Sequence, residues 1–102
     1  MDDKVNRVIV STVKSVRPDA EVRLFGSRAR GNARKDSDWD VIVIVNDDHI
    51  STALFSAIGN PLYDYADEHN VEINPILYTR KQWENRHPSL FGHNVETESI
   101  VL

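Results

Sequence analysis

The sequence predicts a small α+β domain, in which helices pack on one small β-sheet. Segments with helical periodicity alternate along the chain with short strand-like segments. The run 41–45 is apolar without polar alternation, so both of its faces should be covered by other elements. The chain has 102 residues, of which 40% are hydrophobic and 27% are charged. This is a globular balance, and residues 1–102 are predicted to form a single domain.

The first part of the chain predicts a helix and then a strand. Apolar residues recur at helical spacing over 3–17, and Pro18 ends this helix. Residues 21–25 alternate between polar and apolar side chains, which is typical of a strand with one buried face. A Gly-Ser turn ends this strand, and a short helical stretch is predicted over 28–30.

The middle of the chain predicts a buried strand followed by a long helix. Residues 38–45 form the strongest strand pattern in the sequence, and 49–70 is mainly helical in its spacing of apolar residues. The Gly-Asn-Pro segment 59–61 is expected to kink or split this helix. In the split form, Asn60 would cap a second piece whose first residue is proline.

The last third predicts one more strand and two short helices. The strand covers 71–78, and Pro75 favours a sheet edge or a bulge because proline has no N–H to donate. A capping-box pattern opens a helix over 79–85, a loop follows over 86–92, and a short helix is predicted over 94–100. The sequence leaves the strand directions open.

Composition excludes several classes of protein. Cysteine is absent, so disulfides, thiolate metal sites and a thiol nucleophile are excluded. The net charge of −4 argues against direct nucleic-acid binding by a broadly basic surface. The longest apolar run is too short to span a bilayer, and the N-terminus lacks the apolar core of a signal peptide. A cytoplasmic protein without membrane contact is therefore expected.

Two aspartates at the start of the central strand form the first candidate site. Asp38 and Asp40 are two residues apart, so a strand places both carboxylates on one face. Close carboxylates repel each other, and a divalent cation relieves this repulsion. Oxygen ligands of this kind favour Mg²⁺ or Mn²⁺. The alternative is a pair of solvated acids at a strand end.

A glycine turn and a basic segment lie just before these aspartates. Gly26-Ser27 follows a strand, where glycine lets a phosphate approach the backbone and the serine hydroxyl adds a hydrogen bond. The surrounding segment has no acid and five basic residues, a set suited to phosphate oxygens: Arg23, Arg28, Arg30, Arg34 and Lys35. The alternatives are an ordinary serine-capped turn and a solvated basic loop.

A third acid and two tryptophans complete the candidate list. Glu72 lies on a predicted strand with Asn74 as its same-face neighbour, and it is a candidate third metal ligand or general base. The alternative is an edge-strand carboxylate that faces water. Trp39 should face away from the two aspartates and pack in the core. Trp83 is also predicted to pack in the core, with a partner contact as the alternative.

Together these residues resemble the nucleotidyltransferase superfamily of DNA polymerase beta. The family pattern is Gly-Ser, about ten residues, and then Asp-x-Asp, and ten residues separate Ser27 from Asp38 here. The sequence of residues 26–31 and 36–40 resembles that of the minimal nucleotidyltransferase (MNT) group, and the similarity extends over nearly the whole chain. The resemblance implies a polymerase beta-type fold with a mixed α/β sheet.

The resemblance also implies roles in nucleotide binding. Gly26 and Ser27 would hold the phosphates of a nucleoside triphosphate, most simply ATP. Arg28 and Arg30 are assigned to the same nucleotide site. The sequence does not decide which arginines reach phosphate.

The acidic residues receive the metal and catalytic roles. Asp38 and Asp40 would carry two Mg²⁺ (or Mn²⁺) ions, which activate an acceptor hydroxyl and help pyrophosphate leave. Glu72 matches the position of a third carboxylate that is usually aspartate in the family. Glutamate is one methylene longer, which leaves open its part in metal binding and catalysis.

The resemblance implies an antitoxin that modifies a partner protein. MNT proteins of this size commonly accompany a HEPN partner, a putative RNase toxin, and studied members transfer AMP to a tyrosine of that toxin. We therefore expect a protein adenylyltransferase of a toxin–antitoxin system. The alternatives are a non-catalytic antitoxin that acts by occlusion, or the catalytic subunit of a two-chain small-molecule nucleotidyltransferase. A homo- or hetero-oligomer is compatible with each.

Overall fold

The computed structural model describes residues 3–31, 34, 38–85 and 99–102. The first seven elements follow the predicted order of helices and strands, which confirms the α+β class. The elements are α1 (Asp3–Val16), β1 (Glu21–Phe25), α2 (Ser27–Arg30), β2 (Trp39–Val45), α3 (Thr52–Glu68), β3 (Ile73–Thr79), α4 (Arg80–Glu84) and β4 (Ile100–Val101).

The four strands form one mixed sheet in the order β3-β2-β1-β4. β1 pairs antiparallel with β2 and β4, whereas β2 and β3 are parallel and α3 makes the crossover between them. β3 is therefore an edge strand, as Pro75 predicted. The C-terminal end of β1 and the N-terminal ends of β2 and β3 meet at the same end of the sheet, because Phe25 pairs with Asp40 and Asp40 with Asn74.

The main core lies on the face of the sheet that α1 and α3 cover. The apolar stripe of α1 is buried there, as its periodicity predicted, and it meets the stripe of α3 and alternate residues of the strands. Fully buried members include Ile9, Val13, Val22, Val43 and Ile58. Burying side chains of this kind is the main source of stability for a small domain.

The opposite face of the sheet carries a smaller core under α4, which we call the α4 face. Ile42 and Ile44 pack there against Trp83, with Phe25 and Tyr78 at the margin. β2 is therefore buried on both faces, as its unbroken apolar run predicted. The capping box of α4 is also confirmed, because the Thr79 side chain and the Gln82 side chain each accept from the other's backbone N–H.

The long helix differs from the prediction in one respect. α3 is a single helix from Thr52 to Glu68 with Ser51 as its N-cap, and neither a split nor a cap at Asn60 occurs. The buried stripe runs straight through the Gly-Asn-Pro segment, so burial on both sides of Pro61 maintains one helix. Gly59 fits because it lies close to the ring of Phe55.

The end of the chain also differs from the prediction. Residues 94–98 and the predicted loop 86–92 lie outside the described residues, but Ile100 is in β4 and not in a helix. The expectation of a helix at Ile100 is wrong because the outer edge of β1 is available for pairing. Leu102 continues this edge, since its N–H donates to the carbonyl of Val22 at 2.9 Å and its side chain packs on the main core.

An ion-pair network links β1 to α4 on the α4 face. The Glu21 carboxylate accepts hydrogen bonds from Arg23 and from Arg80, the latter at 3.2 Å. The Arg23 guanidinium also lies 5.5 Å from the ring centre of Trp83. Burial raises the pKa of Glu21, but the two guanidinium groups outweigh this effect and hold the pKa below its ordinary value of 4.5.

Among the described residues, no helix combines the length and the apolar character needed to cross a membrane.

Candidate functional site

The turn after β1 is pressed against the carboxylate of Asp40. Gly26 has φ 82° and ψ −157°, a conformation that is essentially restricted to glycine. A Cβ atom built on Gly26 would lie 2.7 Å from Oδ2 of Asp40, so any other residue at this position would require the Asp40 carboxylate to move. The close approach follows from the sheet, because Phe25 is the register partner of Asp40. The predicted glycine turn and the second predicted aspartate are therefore in direct contact.

Ser27 begins the short helix α2 at this same corner. The backbone N–H of Ala29 donates to the carbonyl of Gly26 at 3.1 Å, and Gly31 ends α2 in the left-handed conformation with φ 77°. The sharp turn at each end keeps α2 close to the strand ends. Ser27 is partly buried next to Gly26.

Arg28 packs on the tryptophan that separates the two aspartates. Its guanidinium carbon lies 4.0 Å from the ring centre of Trp39, a cation–π arrangement. Its Nη2 also donates to the carbonyl of Arg34 at 3.4 Å. Trp39 is 2% exposed and belongs to the main core, as predicted. The side chain of Arg30, the other arginine assigned to the nucleotide site, lies outside the described residues.

A single amide group contacts both aspartates. Nδ2 of Asn74 lies 3.4 Å from Oδ2 of Asp38 and 3.3 Å from Oδ1 of Asp40, within hydrogen-bonding distance of each. Asp38 is exposed and Asp40 is partly buried. The shared contact agrees with the prediction that period-two spacing directs both carboxylates to one face.

Glu72 lies beside this group and immediately before β3. Its carbonyl accepts from the N–H of Trp39 at 2.8 Å, which extends the pairing of β2 and β3 by one bond, and its side chain is exposed. It lines an open recess of about 410 Å³ together with Tyr63, Asp67 and Asn74. Within the described part of the chain, no three Asp, Glu or His side chains come together as a group that could hold a metal ion.

The structure therefore brings together three of the predicted site residues and adds a fourth residue that was not predicted. Gly26, Asp38 and Asp40 come together, and the third side chain in contact with both carboxylates is Asn74. The sequence reasoning missed Asn74 because its position depends on the parallel register of β2 and β3. The available signal was its place two residues after Glu72 on the same predicted strand face.

The side chains present fit a divalent cation of the hard class. The two carboxylates offer oxygen ligands at one point, and a half-turn of the Asn74 amide would add its Oδ1. Oxygen ligands are those that Mg²⁺ and Mn²⁺ prefer.

Fold and site together define a small α+β domain with a glycine turn set against paired carboxylates, an arrangement suited to binding a metal-bound nucleotide. The family model for the nucleotidyltransferase domain matches residues 7–95. The chain belongs to the nucleotidyltransferase domain family. The match includes every predicted site residue, from Gly26 to Glu72.

Two solved structures have a similar fold. A chain in the crystal structure of a toxin–antitoxin with AMP-PNP superposes with a TM-score of 0.66 and 17% sequence identity, over 99% of this chain and 72% of the other. A chain in the crystal structure of a mutant MntA–HpeT toxin–antitoxin gives a TM-score of 0.63 and 15% identity, over 95% and 70%. No curated protein shows a significant match to this chain.

Proposed function

We propose that this domain transfers AMP from ATP to a hydroxyl group of a partner protein, in the cytoplasm, and so neutralises a HEPN-type toxin. The observation that carries the proposal is the packing of the Gly26 turn on the carboxylate of Asp40, with Asp38 beside it. Membership in the nucleotidyltransferase family supports the reaction class. The toxin–antitoxin structures of similar fold, one of them with AMP-PNP, support the nucleotide and the kind of partner.

In this proposal the turn and the carboxylates have separate tasks. The backbone of Gly26 and the hydroxyl of Ser27 bind the phosphates, and Arg28 and Arg30 belong to the same nucleotide site. Asp38 and Asp40 hold Mg²⁺ in position. The bound cation supplies positive charge to the α-phosphate and to the departing pyrophosphate.

The transfer exchanges one P–O bond for another. The acceptor oxygen forms a bond to the α-phosphorus while the bond to the bridging oxygen of the β-phosphate breaks, and pyrophosphate leaves. The acceptor proton passes to a carboxylate, for which we propose Glu72, because it lines the recess next to Asn74. That recess would receive the acceptor side chain.

The test is transfer of label from [α-³²P]ATP to the product of the neighbouring gene in the presence of Mg²⁺. The expected result is a labelled partner with the wild-type domain and at least about a 100-fold lower rate with Asp40→Asn. Asp64→Asn is the matched control, because Asp64 is an exposed aspartate on α3. Equal labelling by wild type and Asp40→Asn would exclude this site as the origin of the activity.

A second function is favoured by the amide at the third position. The neutral amide of Asn74 contacts both carboxylates, which suits a site that binds nucleotide without transferring it. In that case the domain neutralises its partner by covering it. The partner would then remain unlabelled, and the double substitution of Asp38 and Asp40 to Asn would leave neutralisation intact.

A further inference from the structure

We propose that Asn74 is the positioning residue of the acidic site, which holds the carboxylates of Asp38 and Asp40 at one point. The inference rests on the proposed function in taking a cation and a nucleotide as the occupants. It goes beyond that function by assigning a role to a residue that the motif does not contain. It also predicts that the affinity of the site for a cation depends on bound nucleotide.

The position of Asn74 is fixed by the sheet. β2 and β3 are parallel, and Asn74 is the register partner of Asp40. Paired residues in adjacent strands direct their side chains to the same face, and period two brings Asp38 to that face as well. Each of the two Nδ2 hydrogens can therefore meet a different carboxylate, at N–O distances of 3.4 and 3.3 Å.

An amide is suited to this place because it carries no charge. Two carboxylates that share a contact repel each other, and a neutral N–H donor between them reduces this repulsion. A half-turn of the side-chain amide exchanges Nδ2 for Oδ1, which is an oxygen ligand for a cation. Asn74 can thus support the carboxylates before a cation binds and contact the cation afterwards.

The charge count predicts a dependence on nucleotide. Two carboxylates neutralise one divalent cation, whereas three would retain it more strongly without any further ligand. The site should therefore bind Mn²⁺ weakly by itself and more tightly with the phosphates of a nucleotide present. A third carboxylate at position 74 should weaken this dependence.

The first experiment measures Mn²⁺ affinity by calorimetry, with and without AMP-PNP, on the full chain. We expect Asn74→Asp to bind Mn²⁺ alone about tenfold more tightly than wild type, and Asn74→Leu to bind Mn²⁺ with AMP-PNP about tenfold more weakly. Asn60→Asp is the matched control, because it makes the same change on the exposed surface of α3. Affinities of both Asn74 variants within twofold of wild type would overturn the proposal.

Glu72→Gln decides between the two candidates for the third side chain. A tenfold loss with Glu72→Gln, together with wild-type affinity in Asn74→Leu, would assign the role to Glu72 and overturn the proposal.

The second experiment observes the Asn74 amide directly. In the presence of EDTA, the two side-chain N–H signals of Asn74 should be shifted from those of Asn60 in ¹H–¹⁵N spectra and should move when Asp40→Asn is introduced. A general loss of structure would not produce this selective change. Asn74 signals that match those of Asn60 and do not move in Asp40→Asn would overturn the proposal.

The two experiments also separate this inference from the proposed function. If the wild-type protein bound no Mn²⁺ with AMP-PNP, the transfer reaction would fail. The amide signals in EDTA would still decide whether Asn74 positions the carboxylates. If Mn²⁺ and AMP-PNP bound as expected and the Asn74 variants changed nothing, the positioning role would fail and the proposed function would stand.

Discussion

Gly26 is constrained by its backbone and by its neighbour at the same time. Its φ of 82° and ψ of −157° belong to a region that only glycine enters readily. Its α-carbon also lies where a methyl group would meet the Asp40 carboxylate at 2.7 Å. Gly31 offers a comparison, because its φ is 77° but a Cβ there would have no described residue within 4 Å.

The substitution Gly26→Ala should therefore affect both stability and binding. We expect it to lower the free energy of unfolding by about 1–3 kcal/mol through backbone strain. We also expect it to weaken ATP binding about tenfold or more, because Asp40 must move. Urea unfolding and calorimetry with ATP and Mg²⁺ measure the two effects.

Gly31→Ala is the control for this prediction. Because of its positive φ, this substitution should lower the free energy of unfolding by about 1–2 kcal/mol. It should leave ATP affinity within twofold of wild type. Unchanged ATP affinity in Gly26→Ala would show that the contact with Asp40 has no part in nucleotide binding.

The residues of the site differ in how far the sequence could predict them. The spacing of Gly26, Asp38 and Asp40 can be read directly from the sequence. The alternation of side chains along a strand also correctly predicted that Trp39 packs in the core. Asn74 could not be predicted in the same way. Its contact with Asp40 depends on which strand lies next to β2 and in which direction it runs.

The ion-pair network includes two residues, Glu21 and Arg80, that are 59 positions apart in the sequence. Glu21 on β1 accepts from Arg23 on the same strand and from Arg80 at the start of α4. Arg23 in turn donates to the hydroxyl of Ser99 at 3.1 Å, just before β4. The network therefore joins three elements at the partly buried end of the α4 face.

The lowered pKa of Glu21 predicts a pH dependence of stability. A carboxyl group whose pKa is lower in the folded state stabilises the fold above its unfolded pKa, and this contribution disappears as pH falls through the folded pKa. We expect wild type to lose about 1 kcal/mol more than Glu21→Gln on acidification from neutral pH to below 4.5. Urea unfolding at a series of pH values measures this difference.

Arg80→Met provides the internal check on the ion-pair network. Arg80 contributes to the lowering of the Glu21 pKa. In the Arg80→Met background, the loss of unfolding free energy on acidification should therefore differ less between Glu and Gln at position 21. Parallel pH profiles for wild type and Glu21→Gln would contradict the assigned role of the network.

Secondary structure was predictable where a local pattern and burial agree. The stripe of α1, the alternation of β1 and the capping box of α4 all required no knowledge of the fold. β4 is different, because its two residues become a strand only by pairing with Arg23 and Leu24 of β1. α3 continues through Pro61 because the core holds residues on both sides of it.

The candidate site lies where three strands end and not over the centre of the core. Gly26 follows the end of β1, Asp40 lies near the start of β2, and Asn74 near the start of β3. The mixed sheet brings these ends together because β1 runs antiparallel to β2 while β3 runs parallel to it. A ligand that contacts all three ends would therefore stabilise the arrangement of β1, β2 and β3.

This geometry predicts a strong coupling between ligand binding and unfolding. A ligand that binds only the folded state at about 100 times its Kd adds about 2.7 kcal/mol to the free energy of unfolding. For a domain of this size, that corresponds to a rise in Tm of roughly 10 °C or more. Thermal unfolding with AMP-PNP and Mg²⁺ measures this rise in Tm. AMP-PNP with EDTA should give a much smaller rise, because the paired carboxylates then face the phosphates without a cation between them. An equal rise in Asp38→Asn and Asp40→Asn would mean that the nucleotide binds elsewhere, since each substitution removes a charge at the point where the three strands meet.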